Sequence, residues 1–185
     1  MERCPWAQSG NQLMQDYHDE EWGKPLFGDQ QLFGLLSLEL MQAGLSWQTV
    51  LNKRTDFNLA FENFSIQKVS QFDERKISEL MENSKIIRNQ RKISAIITNA
   101  QAIVKMNQSG QSFDMFLWQF VNNKPLNNLW NHAEEVPAET DISKQLSKEL
   151  KKLGFKFVGP KICYSLMQSM GMVDDHLTSC AFKTK

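Results

Sequence analysis

The sequence lacks any run approaching the roughly 20 apolar residues of a membrane-spanning helix. Its first ten residues, MERCPWAQSG, hold no apolar signal core either. A cytoplasmic protein with no membrane partner is therefore expected. Net charge is missing too: 21 Lys and Arg balance 21 Asp and Glu. That excludes a global basic signature of nucleic-acid binding, so any such surface must come from local clustering. Cysteine is scarce. Three, odd in number and far apart, make no disulfide framework and are read as thiols or ligands in a reducing compartment. Strand signals are nearly absent, with no long period-2 alternation and no Asn-Gly or Asp-Gly hairpin. There is no internal repeat and no low-complexity tract. What is present is an ordinary globular composition, 41% hydrophobic with 12 Phe, 9 Met and 5 Trp in 185 residues. That is enough for a real core, so one all-α domain over residues 1–185 is expected.

Helix punctuation supports that class. Asp29 is read as the cap of a helix reaching about Met41, Ser46 of one reaching about Glu62, and Asp73 of a short one through Met81. Ile93, Ile96, Ile97, Ala100, Ile103 and Val104 predict one face of a long helix ending before Gly110. FDMFLWQFV, from Phe113, is apolar nearly all round and predicts a buried helix. Residues 124–140, with Pro125 and Pro137, predict an irregular connection. Asp141 is read as the cap of a helix carrying Ile142, Leu146, Leu150 and Leu153, which Gly154 stops. Pro160 then opens a helix to Met170, which Gly171 ends.

The chemistry concentrates in LELMQAGLSWQTV, residues 38–50. Glu39 falls on the apolar stripe of Leu32, Leu35 and Leu36. A carboxylate there is expensive unless it is paired, protonated or used. Gly44 breaks the pattern, Leu45 is an apolar residue in a turn, and Trp47 starts the next helix. Carboxylate, wedge and indole around one corner suit a flat, polar or cationic ring. The plainer reading of this stretch alone, a solvated Glu and a core Trp, stands slightly ahead.

The turn Gly154-Phe155-Lys156-Phe157-Val158-Gly159 joins two predicted helices as an αα-hairpin. Its glycine-flanked backbone and a helix start can present N–H groups to a phosphate. Lys148, Lys151, Lys152, Lys156 and Lys161 surround it; Lys85, Arg88, Arg91 and Lys92 form a second basic run. Charge runs are more often solvated helix faces, but the hairpin favours a sequence-independent hold on a nucleic-acid backbone. His176 and Cys180, spaced i, i+4, share a face if that segment is helical, and with Cys4 and His18 they make a possible Cys₂His₂ set. The spacing matches no standard finger, and on these residues alone two surface histidines and ordinary thiols are the preferred reading. Cys163 belongs to an apolar helix and His132 has no evident partner.

Taken together, MERCPW, YHDEEWG from Tyr17, the LE…QAGLSWQTVL stretch and KKLGFKFVGPKICYSLMQSMG followed by VDDH resemble the DNA-3-methyladenine glycosylase I family over nearly the whole chain. The resemblance implies a helix-hairpin-helix glycosylase fold, in one domain with room for two helical lobes around the base pocket. It implies one structural zinc per chain, held by Cys4, His18, His176 and Cys180, clasping the termini. It implies a monomer acting on double-stranded DNA with alkylated bases, releasing 3-methyladenine and leaving an abasic site. By the same likeness Glu39, the expected catalytic residue, Tyr17 and Trp47 match base-contacting positions, with Trp6 nearby and Ser165 a further pocket residue. Gln42, Gly44 and Leu45 match the loop that fills the vacated stack. Gly154, Lys156, Phe157 and Gly159 match the DNA-backbone anchor. Two positions depart from the pattern. Met14 stands where the family often carries a tyrosine, giving a thioether in place of a phenol. Asp174 lies near the place of the superfamily's catalytic aspartate and is read instead as a helix cap. A zinc hydrolase is disfavoured, because four protein ligands leave no open metal position; a lyase is disfavoured, because no lysine is placed for a Schiff base. A non-catalytic DNA-binding module is the remaining rival.

Overall fold

Short polar caps divide the chain into helices. The computed structural model describes residues 1–184, and they are mostly helical. The elements are α1 (Pro5–Gln8), α2 (Gln12–Glu20), α3 (Asp29–Gln42), α4 (Trp47–Ala60), α5 (Ile66–Val69), α6 (Glu74–Glu82), α7 (Gln90–Gln108), α8 (Phe113–Trp118), α9 (Asp141–Lys152) and α10 (Pro160–Ser169). Ser46 accepts from the Thr49 N–H and Asp73 from the Lys76 N–H, as their side chains predict. Asn11, Asn89 and Ser112 cap α2, α7 and α8 in the same way.

Several expectations are corrected. Asp29 and Asp141 are first helical residues, and the caps are Gly28 and Thr140. Asp29 accepts instead from the Asp114 N–H, tying α3 to α8. The helix from Ser46 stops at Ala60 and gives way to a 3₁₀ turn at Glu62–Phe64. Helix α8 covers six of the nine residues of the apolar run, a 3₁₀ turn at Gln119–Val121 takes the rest, and Met115 projects into solvent. The segment holding His176 and Cys180 is not helical. It contains β2 (Val173–Asp174), which pairs in parallel with β1 (Leu126–Asn127), Leu126 opposite Val173. Asp174 is accordingly no helix cap.

Helix α3 runs through the core, with Leu32, Phe33, Leu36, Leu40 and Met41 fully buried. The Ile93, Ile96, Ala100 and Ile103 stripe of α7 packs into the same cluster, with Cys163, Leu166 and Met167 of α10. A smaller cluster gathers Met14, Tyr17, Trp22, Leu51 and Leu177, and Trp47 touches both. Helices α9 and α10 fold back on each other. Gly154 has φ +91, the left-handed value that lets the chain leave α9. Among the described residues no helix is long and apolar enough to cross a membrane.

Candidate active site

The two clusters leave a cavity of about 440 Å³ where they meet. Trp6 from α1, Met14 and Tyr17 from α2, Glu39 and Gln42 from α3, Trp47 from α4, and Ser165, Gln168 and Ser169 from α10 line it, with Asp175 beyond β2. All five base-pocket residues named from the sequence are therefore in one place. Glu39 is 3% exposed, so it is not the solvated residue of the plainer reading. Ser169 donates to its Oε1. Burial pushes the Glu39 carboxyl up to about 7, with the Ser169 hydrogen bond opposing the shift.

Tyr17 is also buried, and burial, with the nearby Glu39, holds its phenol well above the ordinary range. It therefore stays a hydrogen-bond donor at neutral pH. Its ring packs on Trp47 with centroids 5.2 Å apart and planes at 50°, and on Trp6 at 6.4 Å. The Trp47 Nε1 is buried and has no hydrogen-bond partner among the described residues. Since buried N–H groups are nearly always paired, an unpaired indole donor beside a cavity suits an incoming acceptor.

Sequence reasoning missed Asp175, Ser169 and Gln168. Asp175 is 1% exposed and receives four donors: Asn128 Nδ2 and Trp130 Nε1 on Oδ1, both at 2.7 Å, and Tyr164 OH at 2.6 Å and Gln168 Nε2 at 2.9 Å on Oδ2. Two of those donors come from the connection read as irregular, which no local pattern links to residue 175. Ser169 had a usable signal, since it lies one turn beyond Ser165 on α10.

The wedge turn follows α3. Gly44 has φ +79, and Leu45 is 43% exposed, an isolated apolar side chain in solvent. Lys92 does not belong to the basic surface run. It is buried, and its Nζ donates to Met41 O at 2.9 Å and Ala43 O at 2.6 Å. At the hairpin, Phe157 adopts φ +55. Gly159 has φ −65, which any residue can adopt, and a Cβ there would meet nothing. Lys148, Lys151, Lys152, Lys156 and Lys161 are all exposed around this turn.

Near the chain ends, Cys4, His18 and Cys180 are buried with donor atoms within 4.8 Å of one another. The Cys180 Sγ to His18 Nε2 separation is 3.6 Å. A tetrahedral zinc with ordinary Zn–S and Zn–N bonds has such an edge of about 3.6 Å. His176 stands outside this trio, but its ring meets that of His18 with centroids 4.8 Å apart. Its Nε2 is buried without a partner among the described residues. Each histidine engages a carboxylate through Nδ1, His18 with Asp19 at 2.8 Å and His176 with Asp174 at 2.9 Å. Carboxylate partners of this kind orient metal-binding imidazoles and leave Nε2 for the ion. The donor set therefore fits a metal. Burial opposes ionisation of Asp174, yet bonds from His176 and Thr184 outweigh it and hold the carboxyl below the usual range. Asp174 is thus engaged away from the cavity lining.

Residues 6–184 match the family model described as methyladenine glycosylase. A DNA-3-methyladenine glycosylase of Haemophilus influenzae is 49% identical over 183 residues, covering 98% of each chain. A crystal structure of a 3-methyladenine DNA glycosylase I superposes with a TM-score of 0.97 at 43% identity, covering 99% of this chain and 100% of that one. A tyrosine-to-phenylalanine variant of a 3-methyladenine DNA glycosylase I, solved in complex with 3-methyladenine, gives 0.95 at 38% identity over 100% and 99%.

Proposed function

The chain belongs to the methyladenine glycosylase family, and from that premise we propose that it hydrolyses the N-glycosidic bond of 3-methyladenine flipped from duplex DNA. The reading is carried by one observation: a buried, under-bonded Glu39 in a cavity walled by Tyr17 and Trp47. Methylation at N3 makes adenine cationic and weakens its glycosidic bond, so the enzyme need add little leaving-group activation. Glu39, ionised against the cation, accepts from the adenine edge and favours the damaged base over neutral adenine. Tyr17 and Trp47 pack on the ring; a cation over an indole contributes about 0.5–2 kcal/mol. The Trp47 indole N–H and the Tyr17 hydroxyl donate to ring acceptors. Trp6 and Ser165 complete the wall, and Met14 meets the ring through sulfur. Water then attacks the sugar carbon and an abasic site remains. The lining holds no lysine among the described residues, which supports base release without strand cleavage.

Flipping costs a few kcal/mol. Leu45, carried by the Gln42–Gly44 turn, fills the vacated stack and offsets part of that. The hairpin with Gly154, Lys156, Phe157 and Gly159 holds the phosphate backbone in helix-hairpin-helix fashion. Cys4, His18, His176 and Cys180 hold one structural zinc, which supplies closure of the chain ends; four protein ligands leave it no reacting position. We read residues 1–185 as one domain, active as a cytoplasmic monomer. Incubation with methylated duplex DNA should release 3-methyladenine and leave alkali-labile sites. Release of no base, with duplex binding intact, would leave only a DNA-binding module. Metal analysis of protein purified without added zinc should find about one zinc per chain; none would remove the clasp.

A further inference from the structure

Helix α7 contributes nothing to the cavity lining, yet it buries two polar side chains on its apolar stripe. Lys92 is 6% exposed and Asn99 is 0% exposed. The Lys92 ammonium grips the carbonyls of Met41 and Ala43, where α3 runs out of intrahelical partners and its dipole is negative. Asn99 holds the Lys156 peptide from both sides: Nδ2 donates to its carbonyl at 3.1 Å, and Oδ1 accepts from its N–H at 2.7 Å. The two residues lie seven apart, two turns or about 10.5 Å of straight helix. One rigid element therefore holds both the wedge turn and the hairpin turn.

A buried lysine without a carboxylate is an expensive way to stabilise a fold. A leucine in its place would pack but would leave the α3 carbonyls without partners. The geometry points to α7 as a spacer that fixes the wedge relative to the hairpin, with Lys92 and Asn99 as positioning residues for the two turns. This rests on the DNA roles proposed above for those turns. A duplex fixes the separation between its phosphates and its base stack, so both turns must be in register when the base leaves. The two residues then act on different steps. Freeing the wedge turn slows flipping after binding, whereas freeing the hairpin weakens the hold on the backbone.

The test compares Lys92→Met, Asn99→Leu and Leu45→Ala in three readouts. These are single-turnover base release, affinity for undamaged duplex, and binding of free 3-methyladenine. Loss of a hydrogen bond to a charged group corresponds to about tenfold or more. Lys92→Met should therefore lose about tenfold in base release, with duplex affinity and free-base binding within about twofold. Asn99→Leu should lose about tenfold in duplex affinity, again with free-base binding kept. Equal losses across all three readouts for Lys92→Met would mark a merely structural role and overturn the inference, as would no loss. Should Lys92→Met fail to fold, Lys92→Gln keeps one donor and should show a smaller loss confined to base release. If Leu45→Ala is impaired while Lys92→Met is not, the spacer falls and the wedge stands. If Leu45→Ala releases base at the full rate, the wedge reading falls and takes the spacer with it.

Discussion

Two carboxylates reach the same cavity from different elements and are held in different ways. Asp175 is saturated: four donors from the connection and from α10 occupy both oxygens. Among the described residues Glu39 has a single donor, Ser169, and burial pushes its carboxyl up to about 7. Both are almost fully buried, so burial does not tell a working acid from a structural one. Unmet hydrogen-bonding capacity does. The lone Trp47 N–H in the same wall carries the same message.

That contrast can be broken or sharpened by mutation. Glu39→Gln should lower base release about 10²-fold or more, the scale for a positioned charge in a dry site, while undamaged duplex still binds. Side-by-side assays that found equal losses would remove Glu39 from the pocket chemistry. The same variant should be more stable than its parent. The carboxyl titrates near 7 in the folded protein against an ordinary 4.5, so the folded state keeps its proton across that window and the unfolded chain does not. Stability therefore falls as pH rises from about 4.5 to 7, and above 7 the full penalty is about 3 kcal/mol. Removing it should raise Tm by about 6–12 °C at pH 8, as scanning calorimetry would register.

Asp175→Asn should do the opposite. An amide sets donor against donor in a four-donor shell, with a loss of about 3 kcal/mol and a Tm lower by about 6–12 °C. A variant as stable as its parent would refute the structural assignment. The pH profile gives a smaller effect. kcat/KM for base release should rise about tenfold per unit up to about pH 7 and then level, following the free-enzyme acid. Folded Asp175→Asn should keep that break, whereas Glu39→Gln should abolish it. Least of all, Trp47→Phe keeps the ring but deletes one donor. It should weaken free 3-methyladenine about fivefold by titration calorimetry; no change would leave the indole N–H without a role.

Much of this was readable from residues, and the failures have physical causes. Ser46, Asp73, Gly154 and Pro160 act locally, so their roles were visible in isolation. Asp29 and Asp141 each stand one residue inside the helix that they were expected to cap, because Gly28 and Thr140 supply the non-helical residue before it. Glu39 was found because it falls on an apolar stripe. Lys92 was misread as surface charge although the same argument applies, since Lys92, Ile96, Asn99 and Ile103 share one face of α7. The i, i+4 argument for His176 and Cys180 assumed a helix that is absent, yet Cys180 still meets Cys4 and His18 through non-local packing. Asp175 lay beyond local reading, because its partners are 7 to 47 residues away.

The cavity draws its walls from Trp6 near one end of the chain and Asp175 near the other, with four helices between them contributing. Contacts so distant in sequence form slowly, after local helices are in place. During refolding, far-ultraviolet dichroism should therefore recover before glycosylase turnover, and enzymatic competence becomes a gauge of the last docking event.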